Sequence, residues 1–139
     1  MVDIQVKPHL DLTQKAVQER LLSKIASGEY FAVLISPPCS TFSRVTWANK
    51  RGPRPVRSYV WPRGFTRLSW TERKRANWGN IMADFSFLAF AMQMKHVHVM
   101  ALFENPEDLG AIKSGQNFGK RPGSMWQFQQ FSEVLQQEQ

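Results

Sequence analysis

The chain has 139 residues, of which 42% are hydrophobic, and no stretch approaches the ~18 consecutive apolar residues of a membrane-spanning helix. That excludes a disordered polyelectrolyte and leaves room for one domain with a modest core. The net charge of +7 is concentrated in one place: between Arg44 and Arg75 ten basic residues stand against a single acidic one, Glu72, while the rest of the chain holds eight basic and ten acidic residues.

In chain order, the first predicted element is a helix over Thr13 to Ala26, with Thr13 as its cap and Ala16, Val17, Leu21, Leu22 and Ile25 at helical spacing. Gly28 ends it. The apolar run from Phe31 to Ile35 reads as a short buried strand, and Pro37 and Pro38 stop it because proline donates no ladder hydrogen bond. The basic stretch follows, interleaved with Trp47, Tyr59, Trp61, Phe65 and Trp70 and broken by Gly52, Pro53, Pro55, Pro62 and Gly64. A long helix is predicted from Trp70 or Thr71 to Met94, with Trp78, Ile81, Met82, Phe85, Leu88, Ala89 and Met92 on one broad apolar face. His96 to Phe103 reads as a second strand, 107–123 as a Gly-, Asn- and Ser-rich loop, and Ser124 to Leu135 as a short helix burying Trp126, Phe128 and Phe131 in part. Helices alternating with strands predict the α/β class in a single domain. The N-terminus has no signal-peptide pattern, which suggests an intracellular protein, nuclear or cytoplasmic.

The only cysteine, Cys39, lies just past the first strand, at the tip where a parallel sheet usually places its ligand crevice. It has no internal disulfide partner, so it is either an inert packing thiol or a nucleophile. Glu104-Asn105-Pro106 repeats the same design at the end of the second strand. If the two strands are parallel neighbours, Cys39 and Glu104 face one crevice and the carboxyl can act as a proton donor. Otherwise the Glu-Asn-Pro segment only starts a turn. His96 and His98 would share a strand face, but no third histidine lies near them and there is no second cysteine, so no metal site is expected.

Pro37-Pro38-Cys39 with Phe42-Ser43, together with Glu104-Asn105, resembles the DNA cytosine-5 methyltransferases. In that family a Pro-Cys turn carries the nucleophile and a Glu-Asn pair after the next strand carries the acid. Asp11, within Leu10-Asp11-Leu12, is similar to the acidic residue that contacts the cofactor adenine, and Val2-Asp3-Ile4 to the end of a preceding strand. The resemblance implies a partial Rossmann-like class I methyltransferase sheet with flanking helices and a basic insertion at about residues 44–75. It implies methyl transfer from S-adenosylmethionine to C5 of a flipped cytosine in DNA, through a covalent adduct at Cys39 with Glu104 as acid. Pro37, Pro38, Ser40, Ser43, Asn105 and Pro106 would shape the substrate site, and Arg44, Arg51, Arg54 and Arg57 would hold phosphates. Asp11, Leu12 and Pro37 would contact the cofactor. Several features depart from the pattern. Ser40 stands where the family often has Gln, and Pro106 where it commonly has Val. Cys39 and Glu104 are 65 residues apart (104 − 39), more than in compact members. No glycine precedes Gly28, so the glycine-rich cofactor loop is not in this stretch, and the expected piece is the middle of such a domain.

The basic stretch alone points to nucleic acid, because arginine among aromatics suits phosphate contact plus base stacking. A solvated loop or an acidic protein partner would use the same residues. Two further readings are a nucleic-acid-binding remnant without catalysis, and, less favoured, a cysteine hydrolase pairing Cys39 with His98 or His96, which a parallel strand pair would separate to opposite sheet edges.

Overall fold

The computed structural model describes residues 8–48 and 50–136. The suggested strand end at Val2-Asp3-Ile4 lies outside them. A 3-10 turn at Pro8–Leu10 leads to helix α1 (Lys15–Ala26), strand β1 (Ala32–Ile35), the short helix α2 (Val45–Ala48), the long helix α3 (Trp70–Met94), strand β2 (Met100–Phe103), a 3-10 turn at Met125–Gln127 and helix α4 (Gln129–Gln136). No helix among the described residues is long and apolar enough to cross a membrane.

The class is mixed α/β with a two-stranded parallel sheet, in which Ala32 pairs with Met100 and Ile35 with Phe103. This register puts Val33, Ile35, Ala101 and Phe103 on one face and Ala32, Leu34, Met100 and Leu102 on the other, because side chains alternate along a strand. The first face packs on α3. The second is open, with Leu34 71% and Leu102 64% exposed.

Helix α3 is the central element, in contact with α1, both strands and α4. A full capping box starts it: the Ser69 hydroxyl accepts from the Glu72 N–H, and the Glu72 carboxylate accepts from the Ser69 N–H. Two apolar clusters flank the helix. One gathers Phe42, Ala83, Phe87, Met125 and Phe128, the other Ile25, Ile35 and Ala89, and Phe103 touches both. Phe87 and Phe103 stack with centroids 5.3 Å apart.

The expected inner face of α3 holds in part: Met82 and Ala89 are buried, and Phe85 and Met92 pack against the core. Trp78, Ile81 and Leu88 are exposed, whereas Ala76, Gly79, Ala83, Ser86 and Gln93 are buried. The inner stripe is built of small residues because the chain after Cys39 crosses the helix closely: a Cβ on Gly79 would lie 2.5 Å from Thr41 Oγ1. Gln93, fully buried, donates from Nε2 to the Tyr30 carbonyl and so joins α3 to the start of β1.

Two smaller differences concern ends. Thr13 does not cap α1; the flanking residue is Gln14, and Thr13 instead donates both its N–H and its hydroxyl to Asp11 Oδ1. Strand β2 begins at Met100 and not at His96, because His98 adopts a left-handed backbone with φ 61 that no strand accommodates.

Candidate functional site

The site forms where both strands end. Pairing continues one step beyond the strands, since the Glu104 N–H donates to the Ile35 carbonyl at 2.9 Å. Because β1 and β2 run parallel, the Pro37-Pro38-Cys39 turn and the Glu104-Asn105-Pro106 turn leave the sheet at the same end. Two side-chain bonds join the turns. Ser36 Oγ donates to Glu104 Oε2 at 2.8 Å, and Asn105 Nδ2 donates to the Pro37 carbonyl at 3.2 Å. Trp126 Nε1 holds the Pro106 carbonyl from outside at 2.8 Å.

Cys39 is exposed at the outer tip of its turn. Its carbonyl accepts from the N–H groups of Phe42 and Ser43, so the chain reverses immediately, and Thr41 and Phe42 are buried. Ser40 and Glu104 are exposed, and Pro37 is buried. Ser43 is used locally: its hydroxyl accepts from the Val45 N–H at the start of α2, and its carbonyl accepts from the Thr46 hydroxyl. Asn105 Oδ1 is buried with no hydrogen-bond partner among the described residues.

The four arginines assigned to phosphates separate. Arg51 and Arg54 are exposed. Arg44 is partly buried and donates to the Gly110 and Ala111 carbonyls, tying the start of the basic stretch to the loop after Glu104. Arg57 is a core residue, 1% exposed, so the expectation that it holds substrate phosphate is corrected. Its guanidinium donates to Thr41 Oγ1, Asn80 Oδ1 and the carbonyls of Pro62 and Ala76, and lies 3.9 Å over the Phe42 ring. Burial pushes it down to about 10, so it stays charged at neutral pH. Composition reads a basic loop as solvated, but a rigid fork whose Nη1 and Nη2 groups find four acceptors can be buried, even though its Nε has no hydrogen-bond partner among the described residues.

The residues the resemblance assigns to S-adenosylmethionine do not form a cradle. Asp11 Oδ1 accepts twice from Thr13 and Oδ2 accepts from Gln14, and these bonds hold its carboxyl below the usual carboxylate range. The Leu12 carbonyl accepts from Gln18, and the Pro37 carbonyl accepts from Asn105. These residues close the start of α1 and the cysteine turn, and the described residues by themselves do not fit the cofactor.

His96 and His98 do not share a strand face. Both precede β2, at the end of the parallel pair opposite Cys39, and His96 Nε2 is engaged with the Ile25 carbonyl at 2.8 Å. This geometry removes the cysteine–histidine pair that a hydrolase would need.

Sequence reasoning missed Ser36, the orienting partner of Glu104; a hydroxyl one step past a strand end was the available signal. It also missed the loop 110–121 as a wall of the basic region. Lys113, Lys120 and Arg121 among glycines were visible, but not their placement.

Comparison of the chain with family models, with curated proteins and with solved structures finds no match.

Proposed function

We propose that this chain carries the cysteine and glutamate half of a DNA cytosine-5 methyltransferase-like site, on a partial Rossmann-like sheet. The observation that supports the reading is the parallel pairing of β1 and β2, with the Cys39 and Glu104 turns stitched together by Ser36 and Asn105. In this reading the Cys39 thiolate adds to C6 of a flipped cytosine, making C5 an enamine carbon that accepts an electrophile. Glu104 meets the ring at N3 and the exocyclic amine and stabilises the charge that addition creates. Ser36 holds one carboxylate oxygen and leaves the other for the base.

A test needs no methyl donor. In heavy water, addition of the thiolate at C6 lets C5 take a deuteron. Loss of the original C5 proton and expulsion of the thiolate then restore the ring with deuterium at C5. Exchange at C5 of cytosine in an oligonucleotide is expected for the wild-type chain, absent for Cys39→Ser, and lowered by about 10² or more for Glu104→Gln. Undiminished exchange in Cys39→Ser refutes the mechanism. The lack of a cofactor cradle among the described residues favours a second reading, a nucleic-acid binder without catalysis, which predicts binding with no exchange in the wild type.

A further inference from the structure

The basic stretch and the loop 110–121 enclose a pair of adjoining clefts of about 660 and 720 Å³. Trp47, Arg54, Pro55 and Asn117 line both and form their common wall. The first adds Tyr59, Phe65, Lys120 and Arg121; the second adds Arg44, Lys50 and Lys113. Among the described residues neither cleft is lined by an Asp or Glu. Six basic side chains from two distant segments therefore converge on one concave surface, and of these Arg121 is ion-paired, with Asp108.

The surface is built and not merely adjacent. Asn117 Nδ2 donates to the Trp47 carbonyl at 2.6 Å, the Tyr59 N–H donates to the Arg121 carbonyl at 3.0 Å, and Ser58 bridges to Pro122. Arg121 sits 3.5 Å over the Tyr59 ring, held there by Asp108. Lys120 lies 5.9 Å from the Trp47 ring, at the outer limit of a cation–π contact, and donates to Asn117 Oδ1 at 3.2 Å, an exposed bond that a phosphate can replace.

We propose that this double cleft binds a single-stranded segment of nucleic acid, with phosphates along Lys50, Arg54, Lys113 and Lys120 and bases against Trp47 and Phe65. The charge fits a polyanion, and the aromatic lining fits the π-faces that every base offers. Trp47 and Phe65 at the open clefts offer faces on which unpaired bases can stack, whereas the bases of a duplex are already stacked on one another. The inference goes beyond the Cys39 chemistry and does not depend on it, since binding is read without turnover.

The test is fluorescence anisotropy of labelled oligo(dT), alone and annealed to oligo(dA), titrated with the full chain over a salt series, with heparin as a polyanion lacking bases. The single strand is expected to bind at least about tenfold more tightly than the duplex and to quench tryptophan emission. Trp47→Phe should remove most of that quenching. The triple variant Arg54→Ala, Lys113→Ala, Lys120→Ala changes exposed side chains only and should make the log–log salt slope shallower by about 2, from about 0.7 per phosphate contact on a single strand. Equal or tighter binding of the duplex overturns the proposal, as does an unchanged slope in the triple variant. Heparin binding as tight as oligo(dT), with no quenching by the latter, also overturns it and leaves a general anion surface.

Discussion

Arg57→Ala is the substitution on which the sequence expectation and the structure disagree most. A phosphate-binding arginine on a solvated loop would change affinity and leave stability alone. In the structure its guanidinium makes four hydrogen bonds from a fully enclosed position. At the low end for bonds from a charged donor these contribute about 6 kcal/mol together. The burial that lowers the group from the ordinary arginine range to about 10 takes back about 3 kcal/mol. The three methylenes of the stem add about 2 kcal/mol of apolar burial. Removing the side chain is therefore expected to cost about 5 kcal/mol, a large share of the 5–15 kcal/mol typical of a domain. Urea unfolding followed by far-UV circular dichroism reads this as a fall in midpoint at unchanged slope. A loss under about 1 kcal/mol would mean that Arg57 is not a buried tie.

Three further outcomes follow from the same geometry. Gly79→Ala, which improves intrinsic helix propensity by about 1 kcal/mol, should nevertheless destabilise by about 1–3 kcal/mol in the same urea assay, because the new methyl displaces Thr41 Oγ1 and presses on Arg57 Nη2 at 3.0 Å. Ser69→Ala should cost about 1 kcal/mol through loss of the α3 cap, seen as a lower melting temperature. Glu72 has its carboxyl held below the ordinary 4.5, first by the Ser69 N–H, so its contribution is present above that value and is lost as pH falls through the lowered folded value. The stability gap between wild type and Glu72→Gln should accordingly close on acidification; a gap that widens would reverse the sign of the argument.

The strands were legible because each is a short apolar run closed by proline, a pattern that survives without knowledge of partners. Their parallel pairing was an inference from two similar ends, and the ladder from Ala32–Met100 to Ile35–Phe103 supplies it. The start of β2 was not legible, because the positive φ of His98 belongs to the way α3 hands the chain to the strand and leaves no mark on residue type. The inner face of α3 was misread in part, at Trp78, Ile81 and Leu88, for a related reason. Apolar residues surround that helix on most sides, so periodicity alone leaves its orientation open. The choice is made by Gly79 and Ala83, whose small size admits the chain after Cys39 and the Phe42 ring. At the site, Cys39 and Glu104 were found from their positions after strands, whereas Ser36 and Asn117 act only through partners about 68 and 70 residues away.

Charge counting treats the segment from Arg44 to Arg75 as one object, and the structure divides it by depth. Arg57 is buried under the turn that carries Cys39, where it fixes Thr41 and Phe42. Arg63 is spent on Asp84 and Gln130, and over the Phe128 ring. Arg54 and Lys50 remain at the clefts, with no ion pair within 4.0 Å among the described residues. One stretch thus supplies both the tie beneath the candidate nucleophile and the cations that would meet a polyanion. The two roles separate experimentally. Removing a cation at the clefts should weaken binding at unchanged stability, while removing Arg57 should lower stability and C5 exchange together, because the turn that presents the thiol loses its anchor. Loss of binding with full stability in Arg57→Ala would place that side chain back on the surface and undo the division by depth.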